Sequence, residues 1–156
     1  MKTLSLRSPA KLNLFLKVIN KRVDGYHNIE TLFERIDLLD KIRLISYPTG
    51  GIRISCDHPD VPLDSQNLAY KAAKLIKDQL GVPYGIDIKI EKRIPVAAGL
   101  GGGSSNAATT LLGLNQIWGL KLSKRRLLAL AGALGSDVPF FVHACSWAVG
   151  TGRGDH

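Results

Sequence analysis

The sequence predicts an α/β fold, a two-layer α+β sandwich in which a sheet packs on helices. Three observations predict it. Apolar residues recur at period two through the first half and again at residues 86–90, helical spacing marks three other stretches, and no repeat, low-complexity tract or long linker separates them. At 156 residues the chain buries one core, so a single domain over 1–156 is expected.

Leu4 and Leu6 alternate with polar neighbours, and Leu12, Leu14, Leu16 and Val18 follow at period two. This reads as two strands interrupted near Pro9, with Lys11 and Asn13 on the face opposite the leucines. From periodicity alone Lys11 is either solvent-exposed or aimed into a cleft. Asp24-Gly25 signals a turn just before Tyr26 and His27. Residues 32–39 are ambiguous between strand and helix. Ile42 and Leu44, then Ile52, Ile54 and Cys56, alternate as strands around a turn at 48–51. Pro59 and Pro62 make the following stretch a loop. Asp64 or Ser65 caps a helix carrying Leu68, Ala72, Leu75, Ile76 and Leu80, which Gly81 and Pro83 end. Ile86, Ile88 and Ile90 form another strand, with Lys92 and Arg93 at its mouth.

That strand delivers the sequence PVAAGLGGGSSNAA at residues 95–108, with four glycines in five positions. Gly99, Gly101, Gly102 and Gly103 let main-chain N–H groups approach a ligand with no Cβ in the way. Ser104 and Ser105 stand at a helix start. Ala107, Leu111, Leu114 and Trp118 then mark one helical face, and Gly119 stops it. A glycine loop feeding a helix N-terminus suits a polyphosphate. The stretch is neither a P-loop, lacking Gly-Lys-Ser/Thr, nor G-x-G-x-x-G, because Ser104 or Asn106 takes the last glycine position. Further on, Ser123 caps a helix with Leu127, Leu128, Ala131 and Leu134 inward, ended by Gly135. Asp137 suits an N-cap before Val138-Pro139, a role compatible with chemistry.

A net charge of +8 and a pI near 9.7 favour an anionic partner: nucleic acid, an anionic membrane or a phosphorylated small molecule. Basic residues are dispersed except for Lys124-Arg125-Arg126, which reads as a solvated helix face. Sparse aromatics rank RNA binding low. No apolar stretch reaches the roughly 18 residues of a membrane span, and the first eight residues lack a signal peptide's apolar core, so a cytoplasmic protein is expected. Cys56 and Cys145 form no C-x-x-C pair and read as reduced packing residues. Arg153-Gly154-Asp155 is a chance match to an adhesion tripeptide.

The run Pro95-x-x-x-Gly99-Leu100-Gly101-x-x-Ser104-Ser105 resembles the phosphate-binding motif of the GHMP kinase superfamily. SPAKLNLFL at 8–16, DGYH at 24–27 and GSDVPFF at 135–141 sharpen this to a resemblance to the 4-diphosphocytidyl-2-C-methyl-D-erythritol kinase family, over the first part of its length. The resemblance implies the GHMP N-terminal domain, with a mixed sheet, and the C-terminal GHMP domain absent from this chain. It also implies ATP-dependent phosphorylation of the substrate's 2-hydroxyl, a step of non-mevalonate isoprenoid synthesis, with Mg2+. Another GHMP small-molecule kinase and an inactive ATP-binding fragment are the alternatives.

By the same resemblance Pro95, Val96, Ala97, Ala98, Gly99, Leu100, Gly101, Gly102, Gly103, Ser104 and Ser105 cradle the ATP phosphates, and Ser105 helps hold Mg2+. Asn67 and Lys92 lie near the adenosine. Asp137 is the general base, Lys11 pairs with it and stabilises developing charge, and Asn13 orients the acceptor. Tyr26 and His27 hold the cytidine. The implied partners are small-molecule nucleotides, with no nucleic acid and no membrane. A homodimer through surface otherwise covered by a second domain is a further expectation.

Overall fold

The computed structural model describes residues 1–21, 25 and 27–152. Tyr26, Asp24 of the DGYH motif and the 153–155 tripeptide lie outside the described residues. In chain order the elements are β1 (Lys2–Lys21), β2 (His27–Tyr47), β3 (Ile52–Cys56), α1 (Leu68–Leu80), β4 (Gly85–Glu91), α2 (Gly102–Ile117), α3 (Lys124–Leu134), α4 (Val138–His143) and β5 (Trp147–Gly150). One mixed sheet runs β1-β2-β4-β3, with β5 pairing β2; among the described residues only the β3–β4 pair is parallel. The helices lie on one side, so the two-layer architecture is the one the periodicity predicts.

The core forms where the sheet's inward isoleucines and leucines meet helix faces. Ile42, Leu44, Ile86, Ile88 and Ile90 from adjacent strands meet Ala69, Ala72 and Ile76 of α1 and Leu111 and Leu114 of α2. Helix α2 is buried on nearly every side, from Ser105 to Ile117, which makes it the central helix of the layer. Gly113 explains how close it comes: a Cβ there would lie 2.5 Å from Leu44 Cδ1 and 2.7 Å from Leu6 Cδ1.

Four expectations are corrected. The N-terminal segment is one strand rather than two: Pro9 is absorbed by a register shift between Pro9 and Ala10, with further shifts between Asn13 and Phe15 and between Val18 and Asn20. Burial in that strand is also the reverse of its pattern. Lys11 is 5% exposed, whereas Leu14, Leu16 and Val18 are more than half exposed, because residues 14–21 project past the covered part of the sheet. The cap of α1 is neither Asp64 nor Ser65 but Asn67, whose Oδ1 accepts from the Ala69 N–H at 2.9 Å. Asp64 instead shapes the preceding turn, accepting from the Gln66 N–H at 2.8 Å. In α3, Leu130 is buried with Leu127 and Ala131, while Leu128 and Leu134 pack only at the margin.

The ambiguous residues 32–39 are strand, within β2. Ser123 caps α3 as predicted, accepting from the Arg126 N–H. The four residues of β5 are too few to show a period and were not foreseen. Among the described residues no helix is long and apolar enough to cross a membrane.

Candidate functional site

The glycine loop occupies the gap between β4 and α2, and its backbone bends as the composition requires. Gly99 and Gly101 have φ of 74° and 70°, in the left-handed region that glycine enters without strain. Ala97 is held at φ 58°, a strained value for a residue with a Cβ and a common feature of binding loops. The N–H groups of Gly102, Gly103 and Ser104 open α2 and have no intrahelical acceptor, and the positive end of the helix dipole lies with them.

Above the loop is a cavity of about 370 Å³. Pro95, Val96, Ala97, Ala98, Gly99, Leu100, Gly101, Gly102, Gly103 and Ser104 line it, and residues 60–62 and 66–68 form its opposite rim. Asn67 and Lys92 also line it, but their polar groups are engaged by the fold. The Asn67 amide donates to the Pro62 carbonyl as well as capping α1. The Lys92 ammonium donates to Asp40 Oδ2 at 2.8 Å and to the Ile94 carbonyl at 2.5 Å. Asp57 accepts the Lys92 N–H, which holds its carboxyl below the usual carboxylate range.

Ser105 differs from the other loop residues. It is fully buried, its hydroxyl meets Ser8 Oγ at 2.8 Å, and it does not line the cavity. In this conformation it joins α2 to β1, so the magnesium role expected of its hydroxyl has no geometric basis here. Ser104 is the serine that faces the cavity.

The second half of the site adjoins the loop. The Lys11 main-chain N–H donates to the Leu100 carbonyl at 3.0 Å, which ties β1 to the loop. A Cβ on Gly101 would lie 3.0 Å from Lys11 Cγ and 3.0 Å from Phe141 Cζ, so the loop rests directly on both side chains. The Lys11 ammonium is 3.5 Å from Asp137 Oδ2, donates to Asn13 Oδ1, and lies 5.3 Å from the centroid of the Phe33 ring. Asn13 in turn donates to Thr31 Oγ1 at 2.7 Å, and Thr31 donates to the Phe15 carbonyl. Asp137 stands at the N-cap of α4 yet makes no side-chain capping bond. Its carboxylate, 31% exposed, is paired with Lys11 and open to solvent. Such an arrangement can accept a proton beside a fixed positive charge.

The structure therefore gathers Lys11, Asn13 and Asp137 at the edge of the loop. His27 is not gathered with them. It is an exposed residue at the far end of the β1–β2 hairpin, six positions along β2 from Phe33, or roughly 20 Å at strand rise. Four functional neighbours escaped the sequence reading: Thr31, which orients Asn13, the buried Ser8 and Asp40 beneath the loop, and Asn106, which bonds both and also lines the cavity. No local signal marked Asp40, because the same strand also carries Glu30, Glu34, Arg35, Asp37, Lys41 and Arg43.

Nucleotide and metal can be tested against these residues. The cradle is shaped by glycines that a Cβ would fill: at Gly102 one would come within 2.9 Å of Lys92 Nζ. Free N–H groups, the helix dipole and neighbouring Lys11 fit an anionic polyphosphate. Among the described residues no three His, Cys, Asp or Glu side chains form a metal cluster. A magnesium ion that keeps phosphate and water ligands and takes at most one or two carboxylates fits that donor set.

Comparison with known proteins gives the same answer. Residues 67–145 match the family model described as the GHMP kinases N terminal domain. The 4-diphosphocytidyl-2-C-methyl-D-erythritol kinase of Bacillus subtilis is 51% identical over 149 residues, covering 96% of this chain and 51% of that protein. Its counterpart in Nostoc punctiforme is 47% identical over 159 residues, covering 99% and 50%. A crystal structure of 4-(cytidine 5'-diphospho)-2C-methyl-D-erythritol kinase superposes with a TM-score of 0.80 at 42% identity, covering 97% of this chain and 53% of that one. The chain thus spans about half the length of the relatives it matches. Fold, glycine loop and sequence likeness agree: the chain belongs to the GHMP kinases, carries their N-terminal domain, and is a homologue of the 4-diphosphocytidyl-2-C-methyl-D-erythritol kinases.

Proposed function

We propose that the chain carries the phosphate loop and the acid–base pair of an ATP-dependent small-molecule kinase acting on the 2-hydroxyl of 4-diphosphocytidyl-2-C-methyl-D-erythritol. One observation supports this above the others: Lys11 donates its N–H to the glycine loop at Leu100 while its ammonium faces Asp137. Phosphate cradle and proton acceptor thus share one surface.

In this reading the loop amides of residues 99–104 hold the ATP phosphates. Asp137 takes the proton of the acceptor hydroxyl as its oxygen bonds to the γ-phosphorus and the bond to the β-phosphate oxygen breaks, releasing ADP. Lys11 offsets the negative charge that builds in transfer, and Asn13, held by Thr31, fixes the ammonium. Magnesium carried with ATP supplies further charge neutralisation. The substrate class rests on the relatives' names and on the DGYH residues, which hold the cytidine in this reading.

The test is ADP release from Mg-ATP with this substrate, alongside calorimetry with a nonhydrolysable ATP analogue. Asp137→Ala should abolish turnover and leave analogue binding nearly intact; equal loss of both would make Asp137 structural. A second reading is nucleotide binding without turnover, which analogue binding with background ADP release would support.

A further inference from the structure

Beneath the loop, Asp40 of β2 is fully buried and takes no part in the chemistry described above. Its Oδ1 accepts the N–H groups of Arg93 at 2.7 Å and Ile94 at 2.8 Å. Its Oδ2 accepts from the Lys92 ammonium at 2.8 Å and the Asn106 amide at 2.9 Å. A carboxylate leaves water only where donors replace it, and here there are four, one of them charged.

The donors come from two places in the chain. Residues 92–94 lead into the glycine loop, and Asn106 lies in the first turns of α2, where the loop has just ended. One carboxylate therefore joins both roots of the cradle. The same network reaches the strand that carries Lys11, because Asn106 also donates to Ser8 Oγ at 2.9 Å and Ser8 meets Ser105.

We propose that Asp40 is a positioning residue for nucleotide: it clamps the two ends of residues 95–105 so that the loop amides are aimed at phosphate before the ligand arrives. This rests on reading the loop as a phosphate cradle. Pre-set geometry lowers the ordering cost of binding, so loss of the clamp weakens affinity in a protein that remains folded. The clamp also places Lys92. Its ammonium lies under the first residue of α2, where Gly102 leaves room for it.

The experiment is calorimetric titration of a nonhydrolysable ATP analogue with magnesium into this chain, with folding of each protein checked by urea unfolding. Asp40→Asn removes the charge, and Asn106→Ala releases the helix end together with its bond to Ser8 Oγ and its part of the cavity wall. Asp87→Asn is the comparison, since Asp87 bonds Arg53 and Tyr47 on the outer face of the sheet. Asp40→Asn and Asn106→Ala should each weaken the analogue by about tenfold or more, and Asp87→Asn by no more than about twofold. Folded Asp40→Asn and Asn106→Ala proteins that bind as tightly as wild type would overturn the clamp and leave the loop reading intact. Equal weakening in Asp87→Asn would also overturn it, by showing general destabilisation. If Asp40→Asn does not fold, Asn106→Ala decides. Failure of the wild-type chain to bind the analogue would overturn the loop reading and the clamp together.

Discussion

Replacing Gly101 with alanine tests the join between the phosphate loop and the Lys11–Asp137 pair. Gly101 is held at φ 70°, and a residue with a Cβ pays about 1–2 kcal/mol to stay there. The new Cβ would also stand 3.0 Å from both Lys11 Cγ and Phe141 Cζ, and 3.1 Å from Phe141 Cε2. Carbon contacts are most favourable near 3.5–4.0 Å, so those side chains must retreat by roughly 0.5 Å or more. Overpacking of this kind costs about 1–3 kcal/mol, giving a total near 2–5 kcal/mol. Gly99→Ala provides the comparison, since Gly99 has φ 74° and nothing within 4 Å of its Cβ position. It should lose only the backbone term, about 1–2 kcal/mol. Urea unfolding of the three proteins reads the difference directly. Gly101→Ala should be the less stable variant by about 1–3 kcal/mol, and a displaced Lys11 should lower turnover on the order of a hundredfold. Equal stabilities would refute the packing of Gly101 on Lys11 and Phe141.

Three further outcomes are expected. Asn67→Ala removes the α1 cap and its bond to Pro62, and should cost about 1–2 kcal/mol in urea unfolding; no change would mean that Asn67 serves the cavity alone. Gly113→Ala places a Cβ 2.5 Å from Leu44 Cδ1 and should destabilise by about 1–3 kcal/mol, whereas a stabilised protein would show that α2 can move off the sheet. Stability should fall in two stages on acidification. Burial lowers the His143 pKa below its ordinary 6.5, so the unfolded chain takes up that proton first and stability declines as the pH drops through the window just below 6.5. Asp87, lowered by Arg53, and Asp57, lowered by the Lys92 N–H, extend the loss as the pH falls below about 3.8. A His143→Gln protein that keeps the first stage would contradict its assignment.

What could be read from the sequence depended on whether a residue's neighbours are local. The strands through Ile42, Leu44, Ile86 and Ile88 and the stops at Gly81 and Gly119 were legible because period and backbone freedom are local properties. The glycine loop was legible for the same reason, as was the placement of Asp137 at a helix start. The burial of β1 was not. Alternation at Leu12, Leu14, Leu16 and Val18 marks a strand, but a register shift at Asn13/Phe15 and the reach of the hairpin past its covering helices decide what is buried. The cap of α1 misled because Asp64 and Ser65, the two candidates read from the sequence, stand just before Asn67, and only the turn made by Asp64 moves the helix start to Asn67. Asp40 and Ser105 were the least legible. Their roles come from partners 52 to 97 residues away in the chain, which no local pattern records.

The most direct measurement follows amide hydrogen exchange in this chain with and without a nonhydrolysable ATP analogue and magnesium. Protection gained at residues 99–105, together with slowed exchange at Lys11, whose N–H is bonded to Leu100, is the predicted result. Binding that protects another surface and leaves those amides unchanged would contradict the assignment of the glycine loop as the nucleotide site.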